Sequence, residues 1–196
     1  MGCNAIEKKG IVFVIKGPLC SITTQCEKVV KNFQYKSFSP GKLLLQYVKD
    51  KKDGYEEIEN KMKEGEVISS STFIKVLKEY IINSLNTKIL VYGFPRNQEH
   101  IDIWEKEMKD KVIVKGVLYN EVSKEEMIKR IQGVKEGKFD DTKEIIKKRI
   151  ETFEKETKPI VEYFEKQGNL IKIDGMKTKD EVSKEILEKF KEKNLT

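Results

Sequence analysis

The segment that follows the first apolar run has the setting of a phosphate-binding loop. The run Ile11–Ile15 predicts a buried strand, Lys16-Gly17 follows it directly, and Thr23-Thr24 opens a helical pattern. Backbone N–H groups of a glycine-rich loop, and of the helix that follows it, bind phosphate in this setting. The phosphate-loop pattern needs a second glycine followed directly by lysine, which this segment lacks. By itself it predicts an ordinary strand-to-helix turn.

A second polar segment, Tyr92-Gly93-Phe94-Pro95-Arg96-Asn97-Gln98, follows another apolar run. Arginine matters here because its planar guanidinium binds phosphate with two parallel hydrogen bonds. Of the 39 basic residues only three are arginine, namely Arg96, Arg130 and Arg149. The chain is therefore rich in lysine and poor in the side chain that phosphate-transfer sites prefer.

Short β-branched runs alternate with long amphipathic stretches, which predicts an α/β fold with a parallel sheet. An open sheet of this kind binds its ligands at the carboxyl ends of the strands, where both polar segments fall. Pro159 should divide the long penultimate helix near Thr157. The predicted strands are Ile11–Ile15, Tyr35–Ser39, Lys88–Tyr92, Val112–Tyr119 and Leu170–Asp174. The predicted helices are Gln25–Asn32, Gly41–Lys51, Glu56–Glu64, Thr72–Ser84, Gln98–Lys109, Ser123–Ile131, Thr142–Gln167 and Lys179–Lys193.

The composition excludes several classes of protein. A length of 196 residues suits one domain, and no apolar run approaches the roughly 18 residues of a membrane span. Three cysteines cannot form a disulfide framework, so we expect a reducing, cytoplasmic compartment. The net charge of +6 comes from lysines scattered among acidic residues, so we expect no nucleic-acid partner. His100, the one histidine, predicts no metal site.

Taken together, the motifs resemble the nucleoside monophosphate kinases, the adenylate kinase family. The run Phe94-Pro95-Arg96-Asn97-Gln98 with Trp104 is most similar to the UMP-CMP kinase branch, and the resemblance extends from about Ile11 to Phe190. It implies a single domain, 1–196, with a P-loop NTPase-like five-stranded parallel sheet and flanking helices. It also implies a helical NMP-binding insertion at about 41–84, a short lid at about 133–141, and a monomer. ATP, magnesium and a nucleoside monophosphate are the implied ligands. Further matching segments are Arg149-Ile150-Glu151-Thr152-Phe153, Thr157-Lys158-Pro159 and Lys172-Ile173-Asp174.

Part of the family's site is retained. The family's lid-hinge carboxylates correspond to Asp140 and Asp141, and in this branch the asparagine of the second segment, Asn97, faces the pyrimidine. The resemblance implies three catalytic cations, Arg96, Arg149 and Lys138. The implied nucleotide-binding residues are Gly17, Thr23, Thr24, Gly93, Arg96, Asn97 and Gln98.

Other family positions have changed. Ile22 stands where a lysine grips the phosphates, and Tyr92 stands where an aspartate helps to organise magnesium. Two family arginines correspond to Leu45 and Gln132, and Lys42 stands where the family has Asp or Glu. Losing one such group commonly lowers a rate by about 10²–10³. We therefore expect Ile22 to present an apolar side chain to the triphosphate, and ATP binding in the usual mode to be weak or absent.

Two interpretations remain open. The first is a catalytically impaired relative that retains at most partial nucleotide binding and serves as a binding or regulatory protein. The alternative is an active kinase that transfers phosphate from ATP to UMP, CMP or AMP, with Lys16 or Lys42 supplying the missing charge from another direction. The substitutions concentrate at phosphate-contacting positions, which favours the first. Arg96 also has a structural alternative, an ion pair with Asp140 or Asp141.

The N-terminus, Met1-Gly2-Cys3-Asn4, suggests myristoylation of Gly2 and palmitoylation of Cys3, which would make a membrane surface a partner. The pattern prefers Ser or Thr at position six, where this chain has Ile6. An unmodified cytoplasmic protein is the alternative.

Overall fold

The computed structural model describes residues 8–18, 22–64, 66, 68–132 and 143–196, and within them the chain forms one five-stranded sheet. Every neighbouring pair of strands is parallel, in the order β2-β3-β1-β4-β5. The predicted α/β fold with a five-stranded parallel sheet is therefore confirmed. The strands are β1 (Lys9–Lys16), β2 (Lys36–Phe38), β3 (Lys88–Tyr92), β4 (Val112–Glu121) and β5 (Leu170–Asp174).

Nine α-helices lie in the described part of the chain, and they connect or follow the strands. Three of them, α2 to α4, fall between β2 and β3, where the helical insertion is expected. The expected lid at 133–141 lies outside the described residues. The helices are α1 (Thr23–Phe33), α2 (Pro40–Lys49), α3 (Tyr55–Glu64), α4 (Ser70–Asn83), α5 (Gln98–Met108), α6 (Lys124–Gln132), α7 (Lys143–Thr152), α8 (Lys158–Lys166) and α9 (Lys179–Glu192).

The sheet separates two hydrophobic cores, because successive side chains of a strand point to opposite faces. In β1, Ile11, Phe13 and Ile15 contribute to the core beneath α2, α3, α4, α5 and α8. Val12 and Val14 contribute to the second core, beneath α1 and α9. All five of these side chains are buried, which explains why the strand is an uninterrupted apolar run.

The predicted break near Pro159 is confirmed. The α7 helix ends at Thr152, a π-helical segment spans Phe153–Thr157, and α8 begins at Lys158 with the proline in its first turn. Proline has no N–H to donate to the preceding turn, so the α-helical ladder cannot pass through it. The break places Thr157 so that its hydroxyl donates to the Arg96 carbonyl oxygen at 2.7 Å.

Candidate functional site

A cavity of about 510 Å³ opens at the carboxyl edge of the sheet. Its walls come from elements far apart in sequence: the end of β1, the first two turns of α1, β2 with the start of α2, and the residues after β3. This is the edge at which an open α/β sheet binds ligands. Of the residues implied by the resemblance, Thr23, Tyr92, Gly93 and Arg96 line this cavity.

Ile22 does not face the cavity, so the expectation that it meets a triphosphate is wrong. Its side chain is 0% exposed and belongs to the core beneath α1 and α9, where Cys26 and Val29 are also found. The reason is local: α1 begins at Thr23, and Ile22, as the residue before it, lies one turn ahead of Cys26, whose N–H donates to the Ile22 carbonyl at 2.9 Å. An apolar side chain on that inner face is stabilised by burial.

The loop between Gly17 and Ile22 is only partly described, because residues 19–21 lie outside the described ranges. Gly17 is buried at the end of β1 and Pro18 follows it in a turn. Thr24, expected at the phosphates, is exposed and is absent from the cavity lining. The next residue, Gln25, is buried, and its Oε1 has no hydrogen-bond partner among the described residues.

Tyr92 occupies the end of β3, at the position that the resemblance aligns with a magnesium-organising aspartate. The residue is 9% exposed, and its hydroxyl has no hydrogen-bond partner in the described structure. Burial raises the pKa of Tyr92, and the neighbouring Cys26 and Glu27 raise it further; Ser37 lowers it slightly without reaching hydrogen-bond geometry. The side chain is therefore a neutral phenol and cannot act as a carboxylate ligand for a metal.

Arg96 reaches the cavity from the loop after β3. Its Nε donates to the carbonyl oxygen of Gly93 at 2.9 Å, and Gly93 has a φ of 61°, a left-handed conformation that favours glycine. Surrounding protein desolvates the guanidinium and lowers the pKa of Arg96, although the side chain still reaches solvent. Because arginine keeps its proton at neutral pH in any such environment, Arg96 is a fixed positive charge of the cavity.

His100 supports this loop as a neutral imidazole. Its Nδ1 accepts a hydrogen bond from the Arg96 backbone N–H at 3.2 Å, and its ring stacks on Phe94 with 5.1 Å between the centroids. Burial, with the nearby Arg96 charge, lowers the pKa of His100 to about 4, against a smaller opposing effect of Glu99. The ring therefore positions the Arg96 backbone, and it carries no charge at neutral pH.

The residues after Arg96 lie outside the cavity lining. Asn97 is the N-cap of α5, and its Oδ1 accepts from the His100 backbone N–H at 3.0 Å. Gln98 donates from Nε2 to Asp102 Oδ1 at 2.8 Å on the helix surface. The expected contact of Asn97 with a pyrimidine stays a prediction. Because its side-chain oxygen caps the helix, only the side-chain NH₂ group of Asn97 is left to donate to a ligand.

The other positions carried over from the family lie apart from the cavity or beyond the described residues. Leu45 on α2 is 60% exposed and lies outside the lining, which takes Lys42, Leu43 and Gln46 from the same helix. Arg149 is exposed on α7. Gln132 ends α6, and its side chain is not described; Lys138, Asp140 and Asp141 lie outside the described residues.

The cavity lining contains more lysines than the sequence motifs predict. Lys16 and Lys42, weighed as replacement charges, both line the cavity, and so does Lys36, which no motif had singled out. Glu27 is the one carboxylate of the described lining. Lys16 could have been found from its position at the last residue of a strand, but Lys36 could not, because it lies at the start of its strand.

The residues present do not fit the magnesium ion that the family uses. Mg²⁺ prefers carboxylate and water oxygens, whereas this lining offers Glu27 against four cationic side chains. Within the described ranges, no cluster of three or more His, Cys, Asp or Glu residues could hold a metal ion. Position 22 is isoleucine, so it supplies no positive charge for a triphosphate.

Comparison with known proteins agrees with the fold. The family model for adenylate kinase matches residues 14–169. UMP-CMP kinase 1 of Oryza sativa subsp. japonica is 37% identical over 188 residues, covering 96% of this chain and 76% of the rice protein. UMP-CMP kinase of Homo sapiens is 36% identical, covering 92% of this chain and 96% of the human protein. The resemblance seen in the motifs is thus confirmed over nearly the whole chain, which belongs to the adenylate kinase family.

Proposed function

We propose that this chain is a catalytically impaired member of its family, retaining at most partial nucleotide binding and acting as a binding or regulatory protein. One observation carries the proposal: the side chain at the phosphate-gripping position, Ile22, is buried in the core. Phosphoryl transfer depends almost entirely on positioning and charge stabilisation, so a site that lacks this cation lacks a main catalytic contribution.

Tyr92 supports the same conclusion. A neutral, buried phenol ends β3 where the family has a carboxylate, and the residues around it present positive charge. ATP and magnesium, the ligands implied by the family, are therefore poor ligands for this chain in the usual arrangement. The residues proposed to bind nucleotide are Gly17, Thr23, Thr24, Gly93, Arg96, Asn97 and Gln98. The position of Arg96 in the cavity lining supports its part in this set.

A coupled assay with ATP, magnesium and each of UMP, CMP and AMP tests the proposal. We expect no turnover above background, with human UMP-CMP kinase in the same buffer as the positive control. Turnover above about 1 s⁻¹, ordinary for kinases, would contradict it. Calorimetry supplies a second measurement, because magnesium-ATP binding at micromolar affinity is incompatible with the proposed loss.

An active UMP, CMP or AMP kinase is the second candidate function. It is favoured by the 36–37% identity to UMP-CMP kinases and by Lys16 and Lys42, which bring positive charge to the cavity. Arg149 and Lys138 would then be the remaining catalytic cations, beside Arg96. The coupled assay decides between the two candidates.

Membrane association through acylated Gly2 and Cys3 belongs with these proposals, as do a monomeric state and a cytoplasmic location. Residues 1–7 lie outside the described ranges, so the sequence alone supports the acylation. No helix in the described part of the chain is long and apolar enough to cross a membrane. Mass spectrometry of the protein from eukaryotic cells tests the acylation; an unmodified Gly2 would contradict it.

A further inference from the structure

The edge of the sheet opposite the cavity carries large apolar side chains that are open to solvent. Leu85, in the loop before β3, is 100% exposed, while Ile82 at the end of α4 and Ile113 at the start of β4 are 42% and 43% exposed. The strands β3, β1 and β4 are neighbours about 5 Å apart, so their amino ends lie side by side. The surface at these ends, here called the amino edge, consists of residues 8–10, 82–88 and 109–115.

Direct contacts hold the three segments of the amino edge together. The Gly10 N–H donates to the carbonyl oxygen of Thr87, two residues after Leu85, at 2.7 Å, and Gly10 pairs with Ile113 in the sheet. Lys115 is the extra residue of a β-bulge, at which the β1–β4 register shifts. A Cβ added to Gly10 would lie 3.2 Å from Lys115 Cγ, so the lysine side chain lies across the glycine. The exposed apolar side chains and Lys115 therefore share one surface.

The amino edge is also strongly basic. It contains six lysines and one carboxylate, Asp110. Lys8, Lys109 and Lys115 are exposed, and none of them forms an ion pair among the described residues. Most of the positive charge is therefore left for a partner of opposite sign. The other three lysines, which donate to carbonyl oxygens at helix ends, are Lys9, Lys88 and Lys111.

Lysines around exposed aliphatic side chains match the chemistry of an anionic lipid surface. Anionic headgroups attract lysine, and an aliphatic side chain is stabilised when it enters the boundary between headgroups and acyl chains. Single-stranded nucleic acid matches less well, because its bases stack on aromatic side chains and the amino edge contains none.

The N-terminal segment joins the sheet at this same edge. Since β1 begins at Lys9, the residues before it enter the strand from the amino edge. Gly2, a proposed acylation site, precedes Lys8 by six residues, which span at most about 20 Å of extended chain. One acyl chain gives only marginal membrane binding, and a basic patch is one of the second signals that make it stable.

We propose that the amino edge is a docking surface for a lipid membrane with anionic headgroups. Leu85 enters the headgroup boundary, and Lys8, Lys109 and Lys115 contact the headgroups. Because β1 is eight residues long, the cavity at the carboxyl edge lies about 25 Å away and stays open to solution. The inference rests on the proposed membrane association and names the lipid class and the surface that meets it.

Co-sedimentation of the full, unmodified chain with vesicles tests the inference, using phosphatidylcholine alone and phosphatidylcholine mixed with phosphatidylserine. We expect binding only to the vesicles that contain phosphatidylserine, and weaker binding as the salt concentration rises. Leu85→Ser should weaken this binding by about ten-fold, because it removes the inserted apolar side chain. Lys109→Gln and Lys115→Gln should each weaken it by about five-fold, since each removes one charge near the surface.

Two matched controls lie at the opposite edge of the sheet. Met176→Ser removes an apolar side chain that is 52% exposed after the end of β5. Lys124→Gln removes an exposed lysine at the start of α6, after the end of β4. Neither should change vesicle binding. If the amino-edge variants weaken binding no more than these controls, or if the unmodified chain binds neither kind of vesicle, the inference is wrong.

Other occupants of the amino edge give different results. Single-stranded RNA that binds more tightly than the vesicles, with no effect of Leu85→Ser, would overturn the inference in favour of nucleic acid. A dimer in solution that Leu85→Ser dissociates would overturn it in favour of a second copy of this chain.

The same experiment on the chain myristoylated at Gly2 separates this inference from the proposed acylation. If the myristoylated chain binds no more tightly than the unmodified chain, and Leu85→Ser weakens both, the amino edge is supported and the acyl anchor is not. If the myristoylated chain binds both kinds of vesicle equally and no amino-edge variant weakens it, the acyl anchor is supported and this inference is overturned.

Discussion

Ile22 is, at the scale of one residue, a core side chain at a position that the resemblance aligns with a phosphate-binding lysine. The resemblance implies that a lysine at this position binds the phosphates. In this chain the Ile22 side chain is fully buried in the same core as Cys26 and Val29. Burial raises the pKa of the Cys26 thiol to about 12, which shows how apolar this surrounding is. A charge placed there would be desolvated without a partner.

The variant Ile22→Lys should therefore lower the free energy of unfolding, by about 2–3 kcal/mol or more, because it brings an unpaired ammonium into the core. Urea denaturation measures the difference. Thr23→Lys is the control: it adds the same charge at the next residue, which is exposed, and should change stability by about 0.5 kcal/mol at most. Equal stability of the two variants would show that position 22 tolerates a charge, contrary to the structure.

The same residue marks a limit of sequence reasoning. The motif aligns position 22 with the family's lysine, and this alignment stays a prediction. The direction of the Ile22 side chain could not be predicted from the sequence. It depends on where α1 begins and on the packing of α9 against α1. The α9 helix contributes Val182 and Ile186 to the same core.

At the scale of elements, the end of α4 depends on a residue from a strand. The Lys9 ammonium donates to the carbonyl oxygens of Ile81 at 2.8 Å and Ile82 at 2.6 Å, and also to that of Ser84. These carbonyls lie at the end of the helix, where the next turn that would supply their donors is missing; that of Ile81 also accepts from the Ser84 N–H at 3.3 Å. A cation at a helix C-terminus also interacts favourably with the helix dipole.

We expect Lys9→Met, which keeps the length of the side chain, to destabilise the protein by about 1–2 kcal/mol through the loss of these charge-assisted bonds. Thermal and urea unfolding report the change. The neighbouring Lys8 is exposed and has no such contacts in the described structure, so Lys8→Met serves as the control. If Lys9→Met lowers the free energy of unfolding no more than Lys8→Met does, the bonds from Lys9 to the end of α4 contribute nothing to stability.

Element boundaries were predictable wherever the local signal was strong. The strands Lys88–Tyr92 and Leu170–Asp174 have the bounds that the sequence predicts, because each apolar run ends in polar or turn residues.

The capping box of Thr178 and Glu181 at the start of α9 is complete. At Ser123 only half of it forms: the Ser123 hydroxyl accepts from the Glu126 N–H, while the Glu126 carboxylate pairs with Arg130.

At the scale of the whole molecule, the fold gathers charges that the sequence disperses. Lys16, Lys36, Lys42 and Arg96 follow different strands or belong to different elements, yet all reach one cavity. Along the chain, lysines alternate with acidic residues and predict only a solvated surface. Three-dimensional proximity at the carboxyl edge of the sheet is not encoded in any local pattern, so this feature of the site required the structure.

The burial of Ile22 also bears on the evolutionary history open to this chain. A change of Ile22 to lysine would lower folding stability, and it would leave Tyr92 unchanged at the end of β3. Natural proteins sit only a little above the stability that their function requires, so selection would act against such a variant. A lysine at position 22 would therefore need compensating changes in the core beneath α1 and α9 before it could be retained.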